Sequence, residues 1–188
     1  MWRASLMGVG ILLTGWAFAE APAGWHVAGS RPVDFDFGYD TAITYGSSAS
    51  GYIRSRVQES PGYGSLLQTI AARHYRGTRV RLSAFLKTDR AERAQMWMRI
   101  DAAHDRVLGF DNMSDRPLSK TTDWTRYEIV LDVPADATSI VFGYLLRGSG
   151  TIWADGFKLE RVDTGVPLTV VDNGTHPDEP QNPNFESR

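Results

Sequence analysis

Apolar and polar residues alternate with a period of two along most of the chain, and no stretch sustains a helical period. Val80, Leu82, Ala84 and Leu86 alternate with Arg79, Arg81, Ser83, Phe85 and Lys87, and Met96, Met98 and Ile100 with Trp97, Arg99 and Asp101. Two further runs follow the same rule. Tyr127, Ile129, Leu131 and Val133 form one apolar face, and Ile140, Phe142, Tyr144 and Leu146 another. A strand is also expected around Ile152-Trp153-Ala154-Asp155, with weaker candidates at 25–27, 34–39, 51–57, 65–71 and 107–113. Turn residues punctuate the runs at Ser60-Pro61-Gly62, Tyr75-Arg76-Gly77, Pro134-Ala135-Asp136 and Gly148-Ser149-Gly150. The charged stretch 91–94 reads as a loop between two strands. Roughly eight to ten short strands without long helices predict an antiparallel sandwich or barrel.

The two ends break this pattern. Met1-Trp2-Arg3 precedes an uncharged apolar run from Leu6 to Phe18, closed by Ala17-Phe18-Ala19. A positive start, a short apolar run and a small-x-small site predict a secretory signal peptide over 1–19. The run falls short of the roughly 20 residues that span a bilayer, so an integral membrane protein is not expected. Residues 20–163 are expected to form one domain. Residues 164–188, with Pro167, Pro177, Pro180 and Pro183, are expected to form an extended tail.

Composition narrows the chemistry. Twenty basic and 22 acidic residues give a net charge of −2, too balanced for an electrostatic grip on nucleic acid. The absence of cysteine excludes a disulfide framework, a thiol nucleophile and a zinc–thiolate site. A leader without cysteines predicts an exported bacterial protein, periplasmic or extracellular, held by its core alone.

Several segments together resemble the carbohydrate-binding-module or galactose-binding-like superfamily, in a form found in bacterial secreted and regulator-associated proteins. They are Ser48-Ala49-Ser50-Gly51-Tyr52-Ile53-Arg54-Ser55, Gly64-Ser65-Leu66-Leu67-Gln68-Thr69-Ile70, the run from Tyr75 to Lys87, Asp123-Trp124-Thr125-Arg126-Tyr127 and Trp153–Glu160. The resemblance covers about 25–162. It implies an all-β antiparallel β-sandwich of jelly-roll type and a non-catalytic module that binds carbohydrate. The same architecture also serves protein binding and assembly, so an envelope protein is the alternative partner. The Asn-x-x-Phe-Glu strand with which such domains often open is absent before Gly24-Trp25, and a similar Asn182-Pro183-Asn184-Phe185-Glu186 stands near the C-terminus. That segment either supplies an edge strand, within the chain or to a neighbour, or belongs to a loose tail.

No Gly-x-Ser-x-Gly elbow, phosphate loop or dinucleotide fingerprint is present, and the four histidines are scattered. Asp101, Asp111, Asp155 and Glu128 offer carboxylates for glycoside hydrolysis only on paper, and a hydrolase is the least favoured reading. Asp34, Asp36 and Asp40 read as the solvated face of an edge strand rather than a calcium site. The resemblance leaves a structural calcium open, with Asp155 as its candidate ligand, and no other cofactor is expected. A sugar ring needs an aromatic platform beside charged hydrogen-bonding groups. Trp97, Arg99 and Asp101 share one strand face and supply that chemistry, unless Trp97 packs beneath a loop and Arg99–Asp101 is a plain ion pair. If the run at 79–87 pairs beside it, Arg81 and Phe85 join the face, and Arg147 extends it. Phe110 and Asn112 border it, whereas Trp124 is expected to anchor a turn in the core.

Overall fold

A computed structural model describes residues 21–169. Nine strands follow one another: β1 (His26–Gly29), β2 (Phe35–Asp40), β3 (Ser50–Ser55), β4 (Tyr63–Ala71), β5 (Thr78–Ala102), β6 (Val107–Asp111), β7 (Leu118–Val133), β8 (Ala137–Arg147) and β9 (Thr151–Val162). Two short 3-10 turns, Pro32–Asp34 and Ala72–His74, complete the chain. Every pairing is antiparallel.

The architecture turns on β5, a strand of 25 residues. Its first half pairs with β9 and β7, and its second half pairs with β8 and β6. Two leaves result, both anchored on the same strand. One runs β2-β3-β9-β5-β7 and the other β1-β4-β8-β5-β6. This is the jelly-roll sandwich that the alternation and the resemblance predict.

Residues 91–94 are therefore not a loop. They lie inside β5, where the ladder shifts register between Leu86 and Ala94 and Arg90 adopts a left-handed φ of 47°. At this corner the inward residues are small: Thr88, Ala91 and Ala94 are buried, while Arg90 and Glu92 face water. The charge that suggests a loop marks the outside of a strand crossing between leaves. Gly150 packs against the corner, where a Cβ would stand 2.4 Å from the Arg90 carbonyl oxygen. Its φ of +97° also excludes most other residues.

The core lies between the leaves. Leu82, Leu86, Met96, Met98 and Ile100 of β5 meet Ile53, Leu66, Ile129, Ile140 and Leu146, all fully buried. A single strand thus contributes apolar side chains to the inner face of both leaves. The hairpin between β5 and β6 turns on His104 and Asp105, both at positive φ, as a two-residue primed turn demands. β2 is an edge strand carrying Asp36 and Asp40, whereas Asp34 lies in the 3-10 turn before it and not on the expected strand face.

After Val162 the chain folds back over β7. Thr169 bonds the Val130 backbone through its amide and hydroxyl and donates to Asp111 at 2.6 Å. Arg79 donates to the carbonyls of Thr164 and Val166. The start of the proline-rich tail is thus seated on the domain rather than free. The leader expected over 1–19 and the segment Asn182–Glu186 lie outside the described residues. No helix among the described residues is long and apolar enough to cross a membrane.

Met98→Ala, which empties space between the leaves, is expected to cost about 2–5 kcal/mol in urea unfolding. A cost below roughly 1 kcal/mol would contradict a close-packed core at that point.

Candidate functional site

The outer face of the β1-β4-β8-β5-β6 leaf carries a groove of about 410 Å³. Its floor is built from the outward phase of each strand: Ser65 and Leu67 of β4, Val141 and Leu145 of β8, Gln95 and Trp97 of β5. Ala28 of β1 and Phe110 of β6 close the two sides.

Trp97 decides the shape of this floor. Its register partner on β8 is Gly143, and beyond Gly143 on β4 lies Leu67. The indole Nε1 donates to the Ser65 hydroxyl at 3.1 Å, two strands away from its own backbone. Neighbouring strands lie about 4.8 Å apart, so only an indole laid across Gly143 spans that gap. A Cβ on Gly143 would stand 2.1 Å from the Leu66 carbonyl oxygen, so β4 approaches β8 closely here, and the half-buried ring lines the groove. Ser65 passes the bond on, donating to the Tyr144 carbonyl at 2.8 Å. The ring is a fixed platform, not a residue tucked under a loop.

Polar groups stand around the platform. Arg99 binds Asp101, two residues along on the same face, at 2.8 Å, and Asp101 is itself buried. The guanidinium is thereby held in place while retaining N–H groups for a partner. Gln95 donates to the Asn112 carbonyl at 2.7 Å, fixing its amide at the edge. Arg147 lies opposite Tyr63 and forms no ion pair among the described residues. Tyr63 and Phe110 are 37% and 46% exposed, leaving two further aromatic faces open on either flank.

Trp97, Arg99, Asp101 and Arg147 are thus brought to one face, with Phe110 and Asn112 bordering it. Arg81 and Phe85 are not. They belong to the first half of β5 and point outward from the opposite leaf, because the two halves are consecutive lengths of one strand and cannot pair as neighbours. Arg81 is engaged there by Glu160 at 2.9 Å, and Phe85 stacks on Tyr45 with centroids 3.7 Å apart. Trp124 joins that outer cluster, 5.9 Å from Tyr45, instead of anchoring a turn in the core. Tyr63 escaped the sequence reading, although it shares the outward phase of Ser65 and Leu67.

Asp155 is a clamp for the loop before β3. Its carboxylate accepts from the Tyr45 amide at 2.7 Å, the Ser47 hydroxyl at 2.8 Å and the Gly156 amide at 2.7 Å. Amide donors repel a cation, so these surroundings do not fit calcium. No group of three or more potential metal ligands occurs among the described residues. Asp34, Asp36 and Asp40 diverge: Asp34 meets Arg31 and Ser60, Asp36 meets Arg56, and Asp40 accepts from Trp153. Asp111 is held by Arg116, and Glu128 by Arg126. No pair of these carboxylates is left facing a common cleft.

No family model matches the chain. Among solved structures, the enzymatically active domain of bacteriophage CBA120 tailspike protein 4 is similar at a TM-score of 0.60 and 12% identity, over 74% of this chain and 20% of that one. The C-terminal family 22 carbohydrate binding module of Clostridium thermocellum Xyn10B matches at 0.54 and 12%, over 74% of this chain and 86% of that one. TmCBM61, solved in complex with beta-1,4-galactotriose, matches at 0.52 and 12%, over 74% and 90%. The chain has the fold of the carbohydrate-binding modules. In sequence it is 44% identical over 166 residues to the uncharacterized HTH-type transcriptional regulator YbfP of Bacillus subtilis, across 87% of this chain. The chain spans 56% of the length of that relative.

Asp155→Asn replaces an acceptor of three donors and is expected to cost about 1–3 kcal/mol in unfolding. Limited proteolysis of the variant is expected to cut faster between 41 and 49. An unchanged cleavage rate would show that the loop is held by other contacts.

Proposed function

We propose that the protein is a non-catalytic carbohydrate-binding module that holds a saccharide in the groove over Trp97. The observation that carries this reading is the half-buried Trp97 indole, held by its bond to Ser65 in the floor of the groove, with hydrogen-bonding side chains around it. A pyranose ring presents a C–H face that stacks on such a platform and hydroxyls that seek donors at its rim. Arg99, already positioned by Asp101, and Arg147 supply donors, and Tyr63 and Phe110 extend the stacking surface toward adjacent residues of an oligosaccharide. Catalysis forms no part of the proposal.

The likeness to a transcriptional regulator supports a closely related use, in which the same domain reports a bound saccharide to a neighbouring module instead of retaining a polymer. Recognition would lie in the same groove. Export forms part of the proposal for this chain: residues 1–19 act as a leader, and the mature protein begins at Glu20. Mass spectrometry of protein recovered from an envelope fraction is expected to show that N-terminus. Full-length chain confined to the cytoplasm would contradict export and leave the groove to be tested separately.

Titration with β-1,4-galactotriose and xylohexaose, followed by calorimetry, tests the groove. At least one is expected to bind, and Trp97→Ala to weaken it by about tenfold or more. Phe85→Ala, on the opposite leaf, is expected to bind as the wild type does. Failure of both sugars and of a wider polysaccharide panel, or equal binding by Trp97→Ala, would overturn the reading.

A further inference from the structure

The outward side chains of β4, β8 and β5 form rows that run straight across the groove. Register places Leu67, Gly143 and Trp97 in one row and Ser65, Leu145 and Gln95 in the next. The row after that holds Tyr63, Arg147 and Arg93. Two arginines thus stand directly opposite each other on β8 and β5, where Cβ atoms lie about 5 Å apart. Their row is two rows from that of Trp97, roughly 13 Å at about 3.3 Å per residue. Arg93 is tied to the edge of the groove: its Nε donates to the Gln95 side chain at 3.3 Å and its Nη2 to the Ser114 carbonyl at 2.8 Å. Arg147 lines the groove and is exposed.

Like charges in register repel, and the rest of β5 avoids them. In its first half Arg79 faces Asp132 at 2.8 Å and Arg81 faces Glu160 at 2.9 Å, each directly across a strand pair. Lys87 reaches Asp123 at 2.8 Å, and on the groove leaf Arg99 has Asp101. Arg93 and Arg147 have only each other, since neither forms an ion pair among the described residues. The carboxylates nearby are placed elsewhere: Asp111 of β6 is taken by Arg116 at 2.6 Å, and Glu92 lies against Gly148. A glutamine at either position would keep a hydrogen-bond donor without the repulsion, so the doubled charge is not explained by the stability of the sheet.

We propose that the groove takes an acidic saccharide, with the carboxylate of a uronic acid residue held by Arg147 and Arg93 and a sugar further along the same chain on Trp97. The inference rests on the saccharide reading of the groove and adds the charge of its ligand. Guanidinium forks bind carboxylates through paired N–H bonds, and an anion between the two cations turns their repulsion into attraction. Tyr63, in the same row, offers its ring to the C–H face of the uronic acid. Arg99 stays with Asp101, so the other end of the groove suits neutral hydroxyls. The net charge of −2 makes this a local preference and not a general attraction for polyanions.

Calorimetry with matched pairs tests the assignment: oligogalacturonate, oligomannuronate and a glucuronic-acid-bearing xylo-oligosaccharide, each against its carboxyl-reduced, neutral form. At least one acid is expected to bind about tenfold more tightly than its neutral partner, and to lose that advantage as salt rises. Arg147→Gln, alone or with Arg93→Gln, is expected to shrink the preference to about twofold or less while the neutral form binds as before. Trp97→Ala is expected to weaken both forms alike, and Arg126→Gln, on the opposite leaf, to change neither. Arg147→Gln is expected to unfold in urea no earlier than wild type, so that its effect reads the carboxylate contact and not the fold. Equal binding of acid and neutral forms by wild type, with both weakened in Trp97→Ala, would overturn the acidic ligand and leave the saccharide groove standing. An undiminished preference in the double variant would overturn it as well. Failure of every sugar, acidic and neutral, would remove the groove reading and this inference together.

Discussion

A single strand that belongs to two leaves governs this molecule. β5 must present apolar residues inward along 25 residues while its partners change from β9 and β7 to β8 and β6. The change is made at a corner of small buried residues, Thr88, Ala91 and Ala94, against which the turn at Gly148–Gly150 packs. Because the strand is continuous, its outward residues fall on opposite sides of the sandwich. Arg81 and Phe85 face one solvent, and Trp97 and Arg99 face the other.

From this follows the division of chemistry between the two outer faces. On the first, charged and aromatic groups satisfy one another: Arg81 with Glu160, and Phe85 with Tyr45. The second keeps Tyr63, Phe110 and Arg147 open around a platform that is itself fixed. A bond relay from the Trp97 indole through Ser65 to the Tyr144 carbonyl ties the platform to β8. The opposite face of that strand buries Tyr144 and Leu146 in the core, so the two faces of one strand serve two environments. Preorganisation of this kind lowers the ordering cost a ligand must meet on binding.

Period-two alternation made the strands and the fold class legible, because each leaf buries only one face. It also placed Trp97, Arg99 and Asp101 together, since residues two apart on a strand share a side whatever its partners. Alternation does not state which strand lies next to which, and that is where Arg81 and Phe85 were misassigned. The charges at Arg90 and Glu92 look like a loop in sequence, yet belong to a solvent-facing strand corner. Trp124 failed for a related reason: a large aromatic favours burial, but Tyr45, from a distant loop held by Asp155, shelters it on the surface. Tyr63 was legible in principle from its phase with Ser65 and Leu67. The pairing of Arg147 with Arg93 was not legible at all, because alternation gives the phase of each strand and not its register against a neighbour.

The central claim is that recognition belongs to the leaf carrying the second half of β5. Mapping of backbone and indole chemical shifts during addition of a bound oligosaccharide tests it most directly. The expected perturbations lie at the Trp97 indole, Ser65, Arg99, Phe110 and Leu145. Perturbations concentrated instead at Tyr45, Phe85 and Trp124 would place the ligand on the opposite leaf and contradict the account.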